Sequence, residues 1–163
     1  TIDFTSNIDS TYDVYCFKFY DCHPQNDNVD FQVNFSTDGG SNYNVTKTSS
    51  FFAAYQNESG SATSLTYASD NDLAQSTGFQ MLNDGVGNGN DESCVGTLKL
   101  YNPSSTTFVK HYIATSHRYY YLDYAIVDYV AGYCNTTSAV NSVRFKFESG
   151  NIDSGVIKLY GIS

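Results

Sequence analysis

Four cysteines, three histidines and seventeen acidic side chains are the residues of this 163-residue chain that could carry chemistry. The histidines, His23, His111 and His117, stand in no nucleophile–base pattern. There is no G-x-S-x-G elbow, H-E-x-x-H helix or P-loop, and no G-x-G-x-x-G follows a strand. His111 falls in a strand-like stretch, Phe108 to Ile113, where a partly exposed strand histidine is expected rather than a general base. Sugar hydrolysis by paired carboxylates needs two acids held apart across a cleft. The three glutamates do not supply them: Glu58 and Glu92 lie in Asn/Ser/Gly-rich loops and Glu148 at a strand end. Asp123 and Asp128 remain, and nothing in their sequence setting raises a pKa. The expectation is a protein without catalytic residues or cofactor.

Cys16, Cys22, Cys94 and Cys134 lack paired C-x₂-C knuckles, so a zinc site is not expected. Cys16 and Cys22 fall in one strand and on one face, about 20 Å apart, too far to bond to each other. Bridges from that strand to Cys94 and Cys134 are open to it, and four free thiols are the simpler reading. Asp84 and Asp91 bracket the Gly/Asn/Asp-rich stretch Asn83–Asp91, the one candidate for a calcium ion, since hard cations need clustered oxygens. Its GNGND core is similar to one turn of a calcium-binding nonapeptide repeat, but such repeats work by stacking. A solvated turn is the simpler reading. Four N-x-[ST] sequons, at Asn34, Asn44, Asn57 and Asn135, are what chance supplies in so Asn- and Ser/Thr-rich a chain.

The densest local feature is Arg118 to Tyr124, with Tyr119, Tyr120, Tyr121 and Tyr124. Neighbours in a strand alternate sides, so one core face cannot take all four rings. These tyrosines are expected to include the main exposed aromatic contacts, because Tyr buries area while its hydroxyl stays wet.

The elements that must position these residues are strands. Val29, Phe31, Val33 and Phe35 alternate with polar residues, as do Phe17 and Phe19, Leu98 and Leu100, Phe145 and Phe147, and Ile157 and Leu159. Each set predicts a strand with one face on the core and one in water. Further strands are expected near Ser50–Gln56, Thr107–Ala114 and Ala125–Tyr133. Asp38–Asn42 is expected to connect the Val29 strand to a hairpin partner at Tyr43–Thr48. The one helix candidate is Asp70–Gln80, capped by Asp70 or Asn71. With 15 Tyr and 11 Phe against one Met, β formers dominate. One all-β domain over residues 1–163 is expected, an antiparallel two-sheet sandwich of jelly-roll type.

A formal charge of −9 with eight Lys and Arg leaves no basic cluster, which argues against nucleic acid and anionic membranes as partners. No apolar run reaches membrane-spanning length. The chain begins with Thr1 rather than Met and shows no signal peptide, which leaves an upstream piece open.

The order of segments Phe17–Pro24, Asp30–Thr48, Asn71–Gln80, Gly96–Tyr112 and Val130–Ser163, closing on GNIDSGVIKLYGIS, resembles a group of proteins encoded by marine tailed phages. The resemblance covers nearly the whole chain. It implies a virion structural protein, decorating the head or associated with the tail, placed on the outside of the particle. Its implied partners are other virion chains, including copies of itself. No enzymatic residue carries over, and Cys16, Cys22 and Cys94 depart from the group's pattern. A glycan- or host-receptor-binding module is the alternative. In an assembly protein the exposed aromatics should be covered by neighbouring chains. In a glycan binder they should line an open groove beside polar loop residues.

Overall fold

The computed structural model describes all residues 1–163. Alternating apolar residues build eleven strands and no helix: β1 (Ile2–Phe4), β2 (Val14–Pro24), β3 (Val29–Ser36), β4 (Lys47–Asn57), β5 (Thr63–Tyr67), β6 (Gln80–Val86), β7 (Cys94–Tyr101), β8 (Lys110–Tyr120), β9 (Tyr124–Cys134), β10 (Ser142–Phe147) and β11 (Ile152–Ile162). All ladders are antiparallel. Four strands run in the order β1-β10-β3-β6, and seven in the order β5-β4-β9-β8-β7-β2-β11. A single pairing, Val86 with Tyr120, joins the two stretches through β6 and β8. The fold is the all-β, sandwich-like one expected. Its wiring is one continuous ladder rather than the two separate sheets of a jelly roll.

Rings from the two stretches meet face to face, which places the core between them. Phe17 of β2 lies 5.4 Å from Phe145 of β10, and Phe19 lies 5.1 Å from Phe31 of β3. Tyr112 of β8 closes the other side, 5.2 Å from Phe35. Phe17, Phe19, Phe31, Val33, Phe35, Leu98, Leu100, Phe145 and Phe147 are all buried, as their alternation predicts, while Ile157 and Leu159 of the edge strand β11 are half-buried. Removing one such ring from water contributes about 2–3 kcal/mol, so this cluster is the main source of stability.

Three local expectations are corrected. Asp70–Gln80 forms no helix. Its backbone bonds instead to β4: Ser49 N–H donates to Leu73 O, and Lys47 and Ser76 exchange both their backbone bonds. A short segment with Gly78 and a left-handed Gln75 (φ 47°) has too little helical drive to compete with that edge. Tyr43–Thr46 is not a strand, and β3 pairs with β10 and β6 rather than with a hairpin partner. Finally, Cys16 and Cys22 do not share a face. A bulge at Tyr20–Asp21, with Asp21 at φ 48°, shifts the phase of β2, so Cys22 turns to the core as the register partner of Cys94. All four cysteines are free and buried.

Two lysines are also fully buried. Lys47 and Lys110 flank Cys134 across β4, β9 and β8. Lys47 Nζ donates to Asn34 Oδ1 (2.6 Å) and Val45 O (2.7 Å), and Lys110 Nζ to Phe108 O (3.0 Å) and Thr136 O (3.1 Å). Burial brings the Lys47 ammonium down to about 8 and pushes the Cys134 thiol up to about 12.

Candidate functional site

β8 and β9 are joined by Tyr121-Leu122-Asp123, a short turn closed by Asp123 N–H on Tyr120 O at 2.9 Å. Asp123 takes φ 62°, a left-handed conformation that Asp tolerates better than most residues. Alternation from this turn sends Tyr120 and Tyr124 to the inner side and Tyr119 to the outer. The four-stranded stretch does not cover the inner side here. A cavity of about 350 Å³ opens instead, walled by Tyr55, Tyr120, Tyr124 and Leu122, with Asn71, Asp84 and Arg118 as its polar lining.

The rings form a contiguous wall. Tyr124 lies 5.6 Å from Tyr55 and 5.8 Å from Tyr120, and Tyr121 packs on Tyr120 at 4.5 Å, all edge to face. Arg118 sits beside Tyr120, its guanidinium carbon 5.6 Å from the ring centre. Burial first, and then interaction with the Tyr121 side chain, push the Tyr120 hydroxyl up to about 12, so it stays protonated and able to donate. Tyr119, on the outer side, lies 2.8 Å from Glu58 Oε1 and 3.2 Å from Asp123 Oδ1. All four tyrosines are half-buried, which corrects the expectation that they are the main exposed aromatics. The exposed tyrosines are Tyr12, Tyr20, Tyr67, Tyr129 and Tyr160.

Behind the cleft is a polar cluster that the sequence did not reveal. Arg118 Nη1 pairs with Asp128 Oδ2, and both side chains are almost wholly buried. Asn83 Nδ2 donates to the same Asp128 oxygen (2.9 Å) and to Ser116 Oγ (3.0 Å). Burial raises Asp128 to about 6, and Arg118 and Asn83 oppose that rise. Asp30, on β3, is also raised to about 6 by burial, opposed by the Gly85 N–H at 3.0 Å. The setting of Asp128 therefore does raise its pKa, contrary to the reading of its sequence neighbours. Four buried side-chain polar atoms have no partner, and three of them belong to this cluster: Arg118 Nε, Asp128 Oδ1 and Asn83 Oδ1. Such atoms are rare in folded proteins because each costs about 1–3 kcal/mol.

Asp84 and Asp91 lie on different elements. Asp84 belongs to β6, where it lines the cleft and accepts from Asn71 Nδ2 at 3.1 Å, while Asp91 is exposed in the turn beyond. Asn83 to Val86 is strand rather than loop, with Asn83 and Val86 fully buried. No group of three or more His, Cys, Asp or Glu side chains is gathered closely enough to hold a metal ion. Asp123 is exposed at the turn, remote in role from the buried Asp128. Asp84 is the only carboxylate lining the cleft, so a pair of acids flanking a scissile bond is not built there. No helix is long and apolar enough to cross a membrane.

The arrangement can take a flat, hydroxylated ligand. Tyr rings offer apolar area, Asp84 accepts hydrogen bonds, and Asn71 and Arg118 donate them. Comparison with protein-family models, curated proteins and solved structures finds no match to the chain.

Proposed function

We propose that this chain is a non-enzymatic surface domain of a tailed-phage virion, decorating the head or forming part of the tail, whose cleft binds a neutral glycan. One observation carries the binding half: Tyr120 and Tyr124 line an open cleft beside Asn71, Asp84 and Arg118. Sugar rings present apolar C–H faces that suit tyrosine, and hydroxyls that can donate to Asp84 while accepting from the Asn71 amide. A polyanion is disfavoured, because Asp128 compensates Arg118 and Asp84 adds a negative charge. The virion half is supported by the phage resemblance of the sequence and by an acidic chain suited to a solvated exterior.

The test is a glycan array carrying neutral and sialylated oligosaccharides, followed by titration of the best neutral probe. Tyr124→Ser and Asp84→Asn should each weaken binding tenfold or more while the melting temperature stays close to the parent's. Absence of binding to any neutral probe, or binding indifferent to both changes, removes the glycan reading.

A further inference from the structure

Register aligns side chains across the outer face of the seven-stranded stretch. One row runs Tyr67–Phe52–Tyr129–Thr115–Thr97–Lys18–Lys158. The row on one side is Leu65–Ala54–Val127–His117–Val95. On the other side it is Ser50–Ala131–Ile113–Lys99–Cys16–Tyr160. None of these residues is Asp or Glu, in a chain of net charge −9. Lys18, Lys99 and Lys158 are exposed here, whereas Lys47, Lys110 and Arg118 are buried and Arg144 is paired with Asp3.

The same face is apolar to an unusual degree. Thirteen large hydrophobic side chains are exposed, and only Tyr12, Phe108 and Leu122 of them lie elsewhere. Phe52 and Tyr129 stack at 4.8 Å with their rings 11° from parallel. Exposed apolar side chains concentrated on one face in this way mark an interaction site. Seven strands about 4.8 Å apart span about 30 Å, enough for the roughly 800 Å² per partner of a standard interface.

The complementary surface is on the protein itself. The β2–β3, β6–β7 and β10–β11 loops meet at one end of the molecule. Asn88 N–H donates to Asp27 Oδ1 (3.1 Å), and Asn88 Nδ2 to Gln25 O (3.2 Å). Asn151 N–H donates to Gln25 Oε1 (3.1 Å), and Glu148 N–H to Asp30 O (2.8 Å). These loops carry Asp27, Asp91, Glu92 and Glu148 and no Lys or Arg.

We propose that the lysine-bearing, aromatic outer face of β5-β4-β9-β8-β7-β2-β11 docks the acidic loop end of a second copy of this chain. Such a contact joins two different surfaces, so it repeats into rings or rows rather than stopping at a dimer. It rests on the assembly half of the reading above. It is independent of the cleft, and a protein that binds glycan yet stays monomeric sinks this inference alone.

Sedimentation velocity over a concentration series tests it, in about 10 mM and about 1 M salt, where charge screening tightens from about 30 Å to about 3 Å. The parent should self-associate in low salt and dissociate in high salt. Lys18→Glu/Lys158→Glu should abolish self-association, and so should Asp91→Lys/Glu148→Lys. An equimolar mixture of the two variants should associate again, because each then offers what the other lacks. These positions are exposed and outside the core, so circular dichroism should match the parent. A parent that stays monomeric in low salt, variants that still self-associate, or a mixture that does not associate would each overturn the proposal. Association that strengthens in high salt would place apolar faces against each other and overturn the charge pairing as well.

Discussion

Arg118 and Asp128 form an ion pair diagonally across the β8–β9 ladder, Arg118 opposite Ile126 and Asp128 opposite Ser116, and it is the one pair in this protein closed off from water. Two buried charges cost several kcal/mol each in desolvation, and their attraction offsets this only while both are present. Asp128→Leu should therefore destabilise the protein by about 3–5 kcal/mol. The double change Arg118→Met/Asp128→Leu should be markedly milder than the single one. Urea unfolding of the three proteins checks this. Equal losses in the single and double variants would mean that the cost lies in packing rather than in the stranded charge.

Asp30 and Asp128, both raised to about 6 by burial, set a pH dependence. Between the ordinary value of 3.8 and about 6, the folded protein holds protons that the unfolded chain has released, so stability falls as pH rises through that window. Asp38, held at about 2 by Ser36 and Asn42, acts in the opposite sense, but only below 3.8. The melting temperature should thus be higher near about pH 4.5 than near about pH 7. Asp128 sets most of this slope, since Asp30 is half-exposed, and the lowered His117, which acts in the opposite sense, offsets part of it. Asp30→Asn should flatten part of the slope, and a flat profile in the parent would remove the linkage.

Phe145 touches Phe4, Phe17, Phe19 and Phe31 at centroid distances of 5.4–6.5 Å, and so ties β10 to β1, β2 and β3. Phe145→Ala should cost about 3–5 kcal/mol. Leu65→Ala, at a side chain 73% exposed on the edge strand β5, should cost less than about 0.5 kcal/mol. Thermal denaturation of the two variants separates a core held by this cluster from one spread evenly.

Cys22 and Cys94 are register partners at full burial, and burial pushes the Cys94 thiol well above its ordinary value. All four thiols are buried, so none of the four cysteines should react with an aromatic disulfide reagent while the protein is folded. In denaturant, protein purified under reducing conditions should release four equivalents. Rapid reaction of even one thiol in the native state would place that cysteine at the surface.

Local pattern was enough for the strands and for most of the core. Val29, Phe31, Val33 and Phe35 turn inward because the side-chain period of a strand is two, a property of each backbone unit by itself. Where a bulge breaks that period the sequence misleads. Tyr20–Asp21 carries no Gly or Pro to mark the shift that turns Cys22 toward Cys94. Asn83 looked like loop because its neighbours are Asp84 and Gly85, and it was drawn into β6 by partners on β8 and β9, Ser116 and Asp128, that it meets only in the folded chain. Asp70–Gln80 lost its helix to hydrogen bonds from β4, more than twenty residues earlier. The same holds for both candidate surfaces. Tyr55, Asp84, Arg118 and Tyr124 reach one cleft, and Lys18, Lys99 and Lys158 reach one face, through ladder pairings between distant segments. Periodicity is written residue by residue, whereas register, bulges and the coverage of one layer by another are settled by which strands pair, and that depends on the whole chain.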